Sequence, residues 1–353
     1  MKILITGCLG FAGKTLCESI ITSTDTIEII GVDNFSRKGC ELNVEPLRNL
    51  GIGIIRGDIR NPSDLKALPA ADWVIDCAAN PSVLAGMDNE TSSRQVMEHN
   101  LVGTINLLEY CKQKGSGIIL LSTSRVYSAE QLAKLPIIQE DDRYSIKDSF
   151  RSNGISSKGI SEDFPTTTPL SLYGASKLAS ETIILEYANC FGFPAWINRC
   201  GVLAGAGQFG KADQGIFSYW LHSFREKNPL KYIGFGGKGL QVRDALHPKD
   251  LSPLLIKQME EPDRDVPKIL NLGGGRENSM SLKQLSNWCE DLFGPNEVTP
   301  SSDERPMDAP WIVMDSSLAN KAWDWSPKTK VQEILEEIAR HAEKNPHWLK
   351  TST

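Results

Sequence analysis

Six apolar runs follow one another along the first part of the chain, at residues 3–5, 27–32, 52–56, 73–77, 118–121 and 194–198. None has the polar alternation of a half-exposed strand. Between them lie longer stretches with helical spacing, notably 13–22, 94–111 and 173–191. Strands that are apolar on both sides are covered on both sides, which points to a parallel sheet between two helix layers. Right-handed β-α-β crossovers then give an open, doubly wound α/β fold. A seventh strand is expected at 268–272, and further helices at 281–293 and 331–343.

Two stretches break this rhythm. Residues 128–172 form a long polar insertion rich in Ser, Asp, Lys and Gly. A loop of that length is expected to be functional or mobile. From 199 to 239, Gly and aromatic residues dominate. The expected division is a doubly wound domain over 1–198, rejoined by segments near 240–275, and a smaller C-terminal lobe made of 199–239 and 276–353. A chain of 353 residues is long enough for both.

The formal net charge is −6, which gives no support to nucleic-acid binding. Eight cysteines occur without a C-x-x-C pair, several inside apolar runs, and read as buried, reduced thiols. The opening Lys2-Ile3-Leu4-Ile5 reads as a strand and lacks the regions of a signal peptide. No stretch approaches the ~20 apolar residues of a membrane span. The expectation is a cytoplasmic protein with no membrane, nucleic-acid or metal partner.

The first run leads into Thr6-Gly7-Cys8-Leu9-Gly10-Phe11-Ala12-Gly13, which then opens a helix. Gly7 suits a tight turn, Gly10 a close approach of backbone to a pyrophosphate, and Gly13 close packing of helix on strand. The N–H groups of Phe11 and Ala12 at the helix start are free for an anion. Asp33 ends the second run, 20 residues after Gly13. A carboxylate there accepts ribose hydroxyls and repels a 2′-phosphate, so NAD is expected rather than NADP, with Arg37 as the counter-indication. Asn34 follows Asp33. Asp58-Ile59 after the third run and Ala78-Ala79-Asn80 after the fourth lie where such sheets place the rest of a dinucleotide. The loop and its setting identify 1–198 as a Rossmann-type NAD-binding domain.

Tyr173 and Lys177 are four apart at the start of a helix and share a face. An ammonium group and a cationic nicotinamide would both lower the phenol's pKa. Tyr173 would then take a proton from a sugar hydroxyl while Lys177 holds the nicotinamide ribose. Thr123, in Ser122-Thr123-Ser124-Arg125-Val126-Tyr127 after the fifth run, offers a hydroxyl to the reacting oxygen.

These features, with Asn100 in Asn100-Leu101-Val102-Gly103-Thr104, resemble the extended short-chain dehydrogenase/reductase family of nucleotide-sugar epimerases and dehydratases, over nearly the whole chain. The resemblance implies a Thr123–Tyr173–Lys177 triad, Asn100 at the cofactor, and NAD that is reduced and reoxidised within one turnover. It further implies a nucleotide-sugar substrate, with Asn198, Gln208 and Gln214 at the sugar side and Arg243 and Arg305 on its phosphates. A homodimer joined through 94–111 and 173–191 is implied too. Gln208-Phe209-Gly210-Lys211-Ala212-Asp213-Gln214-Gly215 resembles the branch that epimerises C2 of a CDP-linked dideoxyhexose. The long 128–172 insertion, Ser128 and Ala206 depart from it. A UDP-hexose 4-epimerase is the rival within the family. A dehydratase would need acidic residues where Ser124 and Arg125 stand. A non-catalytic NAD-binding regulator would be expected to have lost Tyr173 or Lys177.

Overall fold

The computed structural model describes residues 1–87, 92–211 and 214–351. Its centre is a seven-stranded sheet of β1 (Lys2–Thr6), β2 (Glu28–Asp33), β3 (Gly53–Arg56), β4 (Trp73–Asp76), β5 (Gly117–Thr123), β6 (Ala195–Cys200) and β7 (Ile269–Leu272). The spatial order is β7-β6-β5-β4-β1-β2-β3 and every pairing is parallel. Successive residues serve opposite faces. Ile3, Ile5, Ile75 and Ile119 enter one core with Leu16, Ile20 and Leu254. Leu4, Val74, Ile118 and Leu120 enter the other with Leu107, Leu108 and Ile184. That is why the runs carry no polar alternation: neither face sees water.

The strand order reverses between β1 and β4, so the crevice at their C-terminal ends is the expected ligand site. The helix Phe11–Ser23 starts there, and the helix Leu172–Phe191 lies on the other layer. The helical stretch expected at 94–111 runs from Ser93 to Lys114 with one wider turn at Glu98–Val102, where the Gly103 N–H reaches back to the Glu98 carbonyl.

The remaining chain forms two further cores. Helices Ile216–Glu226, Leu282–Phe293 and Val331–Lys344 pack Phe217, Trp220, Leu285, Ile334 and Ile338 together. The strand Val242–Leu246 stands at the seam: Ala245 faces this lobe and Leu246 the main sheet. The segment Ser317–Trp323 returns to the main sheet, where Trp323 meets Trp196 edge-on at 5.1 Å. Residues 128–172 are not a structureless loop. They form the hairpin Ile137–Glu140 with Arg143–Ile146 and three short strands between 151 and 160. Leu132, Ile146, Ile155, Ile160 and Phe164 anchor them on Val242, Trp311 and Met314. These apolar anchors are too sparse to show a period. All eight cysteines are free thiols; six are buried, Cys77 is half-buried and Cys190 is exposed.

Near the C-terminus, His341 and the buried His222 touch through ring nitrogens 3.4 Å apart. Trp348 stacks edge-on against His341 and donates its indole N–H to the Gln208 carbonyl at 3.0 Å. Burial, then mutual repulsion, pushes His222 down to about 3. Burial and Lys14 push His341 down to about 4, with Glu337 opposing. Both are neutral when folded but charge in the unfolded chain below about pH 6.5. Their stabilisation is therefore complete above that pH and drains away as pH falls toward 4. Thermal melts between pH 7.5 and 5 should show falling stability, on the order of 1–2 kcal/mol per histidine by pH 5. His222→Phe should flatten that slope; an unchanged slope would assign the acid sensitivity elsewhere.

Candidate active site

The glycine loop is fixed by backbone contact. Gly7 takes a φ of +62°, open to glycine. A Cβ on Gly13 would lie 2.2 Å from the Gly7 carbonyl oxygen, so the helix can start flush against β1 only with glycine there. Gly10 is the N-cap and no side chain caps the helix, which leaves its first N–H groups for an anionic ligand. Asp33 braces the loop from the end of β2: its carboxylate accepts from Leu9 N at 3.0 Å and Phe35 N at 2.9 Å. Burial raises its pKa and these N–H donors oppose the rise. Thr6 stitches the switch point, donating to Asp76 Oδ1 at 2.9 Å and accepting from Cys77 N and Ala78 N at 3.2 and 3.1 Å.

From this loop a cavity of ≈ 320 Å³ runs to the lobe. Its lining takes in Gly7, Gly10, Phe11, Ala12, Gly13 and Ala79 from the cofactor loops, Thr123, Tyr173 and Lys177 from β5 and the helix Leu172–Phe191, and Arg243 and Arg305 from the lobe. Gln208 and Gln214 also line it. The lining fits an extended dinucleotide: N–H groups at one end and a phenol–ammonium pair further in.

Tyr173 and Lys177 sit on adjacent turns of the helix capped by Ser171, whose hydroxyl accepts from Gly174 N at 3.0 Å. Burial pushes the Tyr173 phenol up to about 12; the Thr123 hydroxyl and Arg125 pull it down. The lowered value expected from the Tyr–Lys spacing is thus not reached in the protein alone, because desolvation outweighs its neighbours. Lys177 is 2% exposed, and among the described residues no carboxylate pairs with it. Its charge is felt by Cys77 and Cys200, thiols that burial keeps protonated.

Several expected residues stand behind this lining. Asn100, in the wide turn, accepts from Asn80 N at 2.8 Å and donates to the Asn80 carbonyl and Ser176 Oγ, both at 3.1 Å. It ties the β4 loop to the helix bearing Tyr173. Asp58 is held by Arg60 at 2.6 Å and Asn34 at 3.1 Å; the Arg60 bonds keep its carboxyl well below the usual range. Ile59 is buried in the sheet's core, and Ala78 meets the loop through its backbone. Asn198 is a correction. It is fully buried, exchanges both amide hydrogen bonds with Gln258 at 2.9 and 3.1 Å, and does not reach the cavity. It lies two residues inside the end of β6, on the face shared with Trp196 and Cys200, while its neighbour Arg199 on the opposite face pairs with Glu181. Arg37, noted against NAD, donates to Gln214 Oε1 at 2.8 Å and lies over the Phe209 ring. Ala212 and Asp213 lie outside the described residues.

Arg243 is anchored on Asp308 and donates to the Val242 and Ala309 carbonyls at 2.6 and 2.8 Å. Arg305 forms no ion pair among the described residues, yet it acts on Asp308 and Arg125 electrostatically. Sequence reasoning treated Arg125 only as a missing acid. It belongs to the same cationic group and lines the cavity. Its adjacency to Thr123 was the available signal.

The model of the NAD dependent epimerase/dehydratase family matches residues 3–273. The chain belongs to that family, and with it to the extended short-chain dehydrogenase/reductases; its cofactor is NAD and it is an epimerase-type enzyme. Among curated relatives, the CDP-paratose 2-epimerase of Salmonella typhi is 31% identical, covering 96% of this chain and 98% of that one. The UDP-glucuronate 4-epimerase of Thermodesulfobacterium geofontis is 26% identical, covering 99% and 98%. Among solved structures, UDP-glucuronic acid 4-epimerase from Bacillus cereus, in complex with UDP-glucuronic acid and NAD, superposes with a TM-score of 0.78 at 25% identity, covering 98% and 99%.

Gly13→Ala tests the loop. The added methyl must displace the Gly7 carbonyl, and overpacking of this kind costs roughly 1–3 kcal/mol. NAD titration should show binding at least ~10-fold weaker, about 1.4 kcal/mol or more, with a lowered melting temperature. Native affinity would mean that the helix start can shift without loss.

Proposed function

We propose that the protein epimerises a nucleotide-linked sugar by oxidising one carbinol carbon to a ketone and reducing it again from the other face. The observation that supports this best is one cavity in which the glycine loop, the Thr123–Tyr173–Lys177 group and a set of arginines meet in sequence. NAD, when bound, accepts the hydride from the carbinol carbon, returns it to the other face, and brings positive charge beside the phenol.

In this reading Tyr173 takes the hydroxyl proton as the carbonyl forms and gives it back on reduction. Thr123 donates to the same oxygen, holding it at Tyr173 while charge changes. Lys177, with no carboxylate partner, stabilises the phenolate and holds the nicotinamide ribose. Gly7, Gly10, Phe11, Ala12 and Gly13 hold the cofactor's diphosphate through backbone N–H groups. Asp33 and Asn34 serve its adenosine ribose and Ala79 its remaining edge, while Asp58, Ile59, Ala78 and Asn100 support the surrounding loops from behind. Arg243 and Arg305 take the substrate's phosphates, a task suited to a fixed, always-charged fork. Gln208 and Gln214 wall the sugar side.

The finer reading is a C2 epimerisation of a CDP-linked dideoxyhexose, supported by the 31% likeness to CDP-paratose 2-epimerase. Epimerisation at C4 of a UDP-sugar is the rival, supported by the likeness to UDP-glucuronate 4-epimerases. Dehydration is disfavoured because Ser124 and Arg125 offer no proton at neutral pH. A homodimer through the helical stretches 94–111 and 173–191 is part of the proposal; Val102 and Phe191 are exposed there.

The test is proton NMR of CDP-, UDP-, GDP- and dTDP-hexoses incubated with enzyme and NAD in deuterated water. An inverted centre without solvent deuterium and without net cofactor reduction is expected. Tyr173→Phe should slow it by roughly 10²–10⁴-fold while NAD still binds. Deuterium beside a carbonyl would indicate enolisation, and full activity in the variant would remove Tyr173 from the chemistry.

A further inference from the structure

The choice between C2 and C4 depends on how near the substrate's diphosphate comes to Tyr173, and Arg125 borders both the Tyr173 helix and the Arg243–Asp308 pair. Its backbone abuts the start of the helix bearing Tyr173: a Cβ on Gly174 would lie 2.1 Å from the Arg125 carbonyl oxygen. Its side chain lines the same cavity as Tyr173. Among the described residues the guanidinium's partners are the Met307 carbonyl at 3.3 Å and Asp308 Oδ1 at 3.8 Å. That same carboxylate oxygen is already engaged by Arg243. Among the described residues Asp308 is the sole carboxylate of the lining, against Arg125, Arg243 and Arg305 at this end. One acid shared between such neighbours leaves positive charge unmatched in a half-buried place, which a ligand anion would satisfy.

We propose that Arg125 holds the phosphate oxygen nearest the sugar's C1 and thereby presents C2, rather than C4, to Tyr173. This rests on the nucleotide-sugar reading above. In a pyranose linked through C1, C2 is bonded to the carbon that carries the phosphate, while C4 lies across the ring. The shared Asp308 joins Arg125 to Arg243, so the cationic group that meets the diphosphate extends to the residue packed beside Tyr173. A phosphate on that group leaves room at Tyr173 for the carbon next to C1. The other source of an anion is a carboxylate on the sugar itself, which would put Arg125 on a uronic acid and C4 at Tyr173.

Calorimetric titration of the NAD-loaded protein with CDP, UDP, CMP, UMP, UDP-glucose and UDP-glucuronate separates these. Arg125→Gln should weaken the preferred nucleoside diphosphate by about 10- to 100-fold, the scale of a lost charge-assisted bond. It should leave the monophosphate and NAD unchanged, and Arg125→Lys should recover part of the loss. Diphosphate binding equal to that of the native protein overturns the proposal; if the variant then also loses a preference for UDP-glucuronate over UDP-glucose, the anion is a sugar carboxylate. Equal weakening of mono- and diphosphate overturns it too, since Arg125 would then be supporting the fold. A native protein that binds none of the six overturns the nucleotide-sugar reading itself, a result distinct from the others.

Discussion

The buried pair of Glu181 and Arg199 fixes the helix that carries Tyr173 and Lys177. Glu181 and Arg199 are 1% and 5% exposed, and the guanidinium engages both carboxylate oxygens, the shortest contact at 2.6 Å. Ser122 on β5 donates to the same carboxylate at 2.5 Å, and Tyr127 joins Arg199 to Asn271 on β7. Glu181 lies one turn beyond Lys177, which lies one turn beyond Tyr173. The pair therefore sets the height and rotation of Tyr173 over the strand ends. Removing one partner would leave a lone buried charge, a loss of about 3–5 kcal/mol. The network also accepts the 128–172 segment, because Asn271 donates to the Ile160 carbonyl and Glu162 takes its backbone N–H.

A second constraint couples this helix to the cofactor loop. The wide turn at Glu98–Val102 shifts Asn100 out of the regular helical ladder, and its amide clasps both the Asn80 backbone and Ser176. Such turns recur at functional sites because they re-aim one residue without ending a helix. Asn80 follows β4, whose Asp76 is stitched to Thr6 and Thr104. The glycine loop, the β4 loop and Tyr173's helix thus form one hydrogen-bonded unit. A cofactor seated on the loop has its orientation to Tyr173 fixed by backbone and amide geometry, with little side-chain freedom left to settle.

The main sheet was legible because burial on both faces erases polar alternation, a signal that survives in a single sequence. Residues 52–56 became Gly53–Arg56 and 268–272 became Ile269–Leu272, differences at the ends where a strand frays. The insertion was illegible because Ile146, Ile160 and Phe164 are held by partners far along the chain, such as Val242 and Met314. Asn198 was misread for a related reason: its place near a strand's end suggested the site, and only the pairing with Gln258 shows which side it faces. The motif showed that Tyr173 and Lys177 share a face, but not that burial would raise the phenol. Spacing reports proximity; desolvation depends on what the rest of the chain places around it.

The cavity concentrates positive charge within an acidic chain. The formal charge is −6 overall, yet the lining carries Arg37, Arg125, Lys177, Arg243 and Arg305 against Asp308. Low-dielectric walls focus such a local excess, which favours anions in the cavity. The two ends solve the anion problem differently. At the glycine loop, uncapped helix N–H groups would meet a diphosphate without a side chain. In the proposed reading, arginines on separate elements take the substrate's phosphates at the far end, and each can be moved or replaced without disturbing the sheet. Substrate choice is free to change at that second end while the Thr123–Tyr173–Lys177 group and its bracing stay as they are.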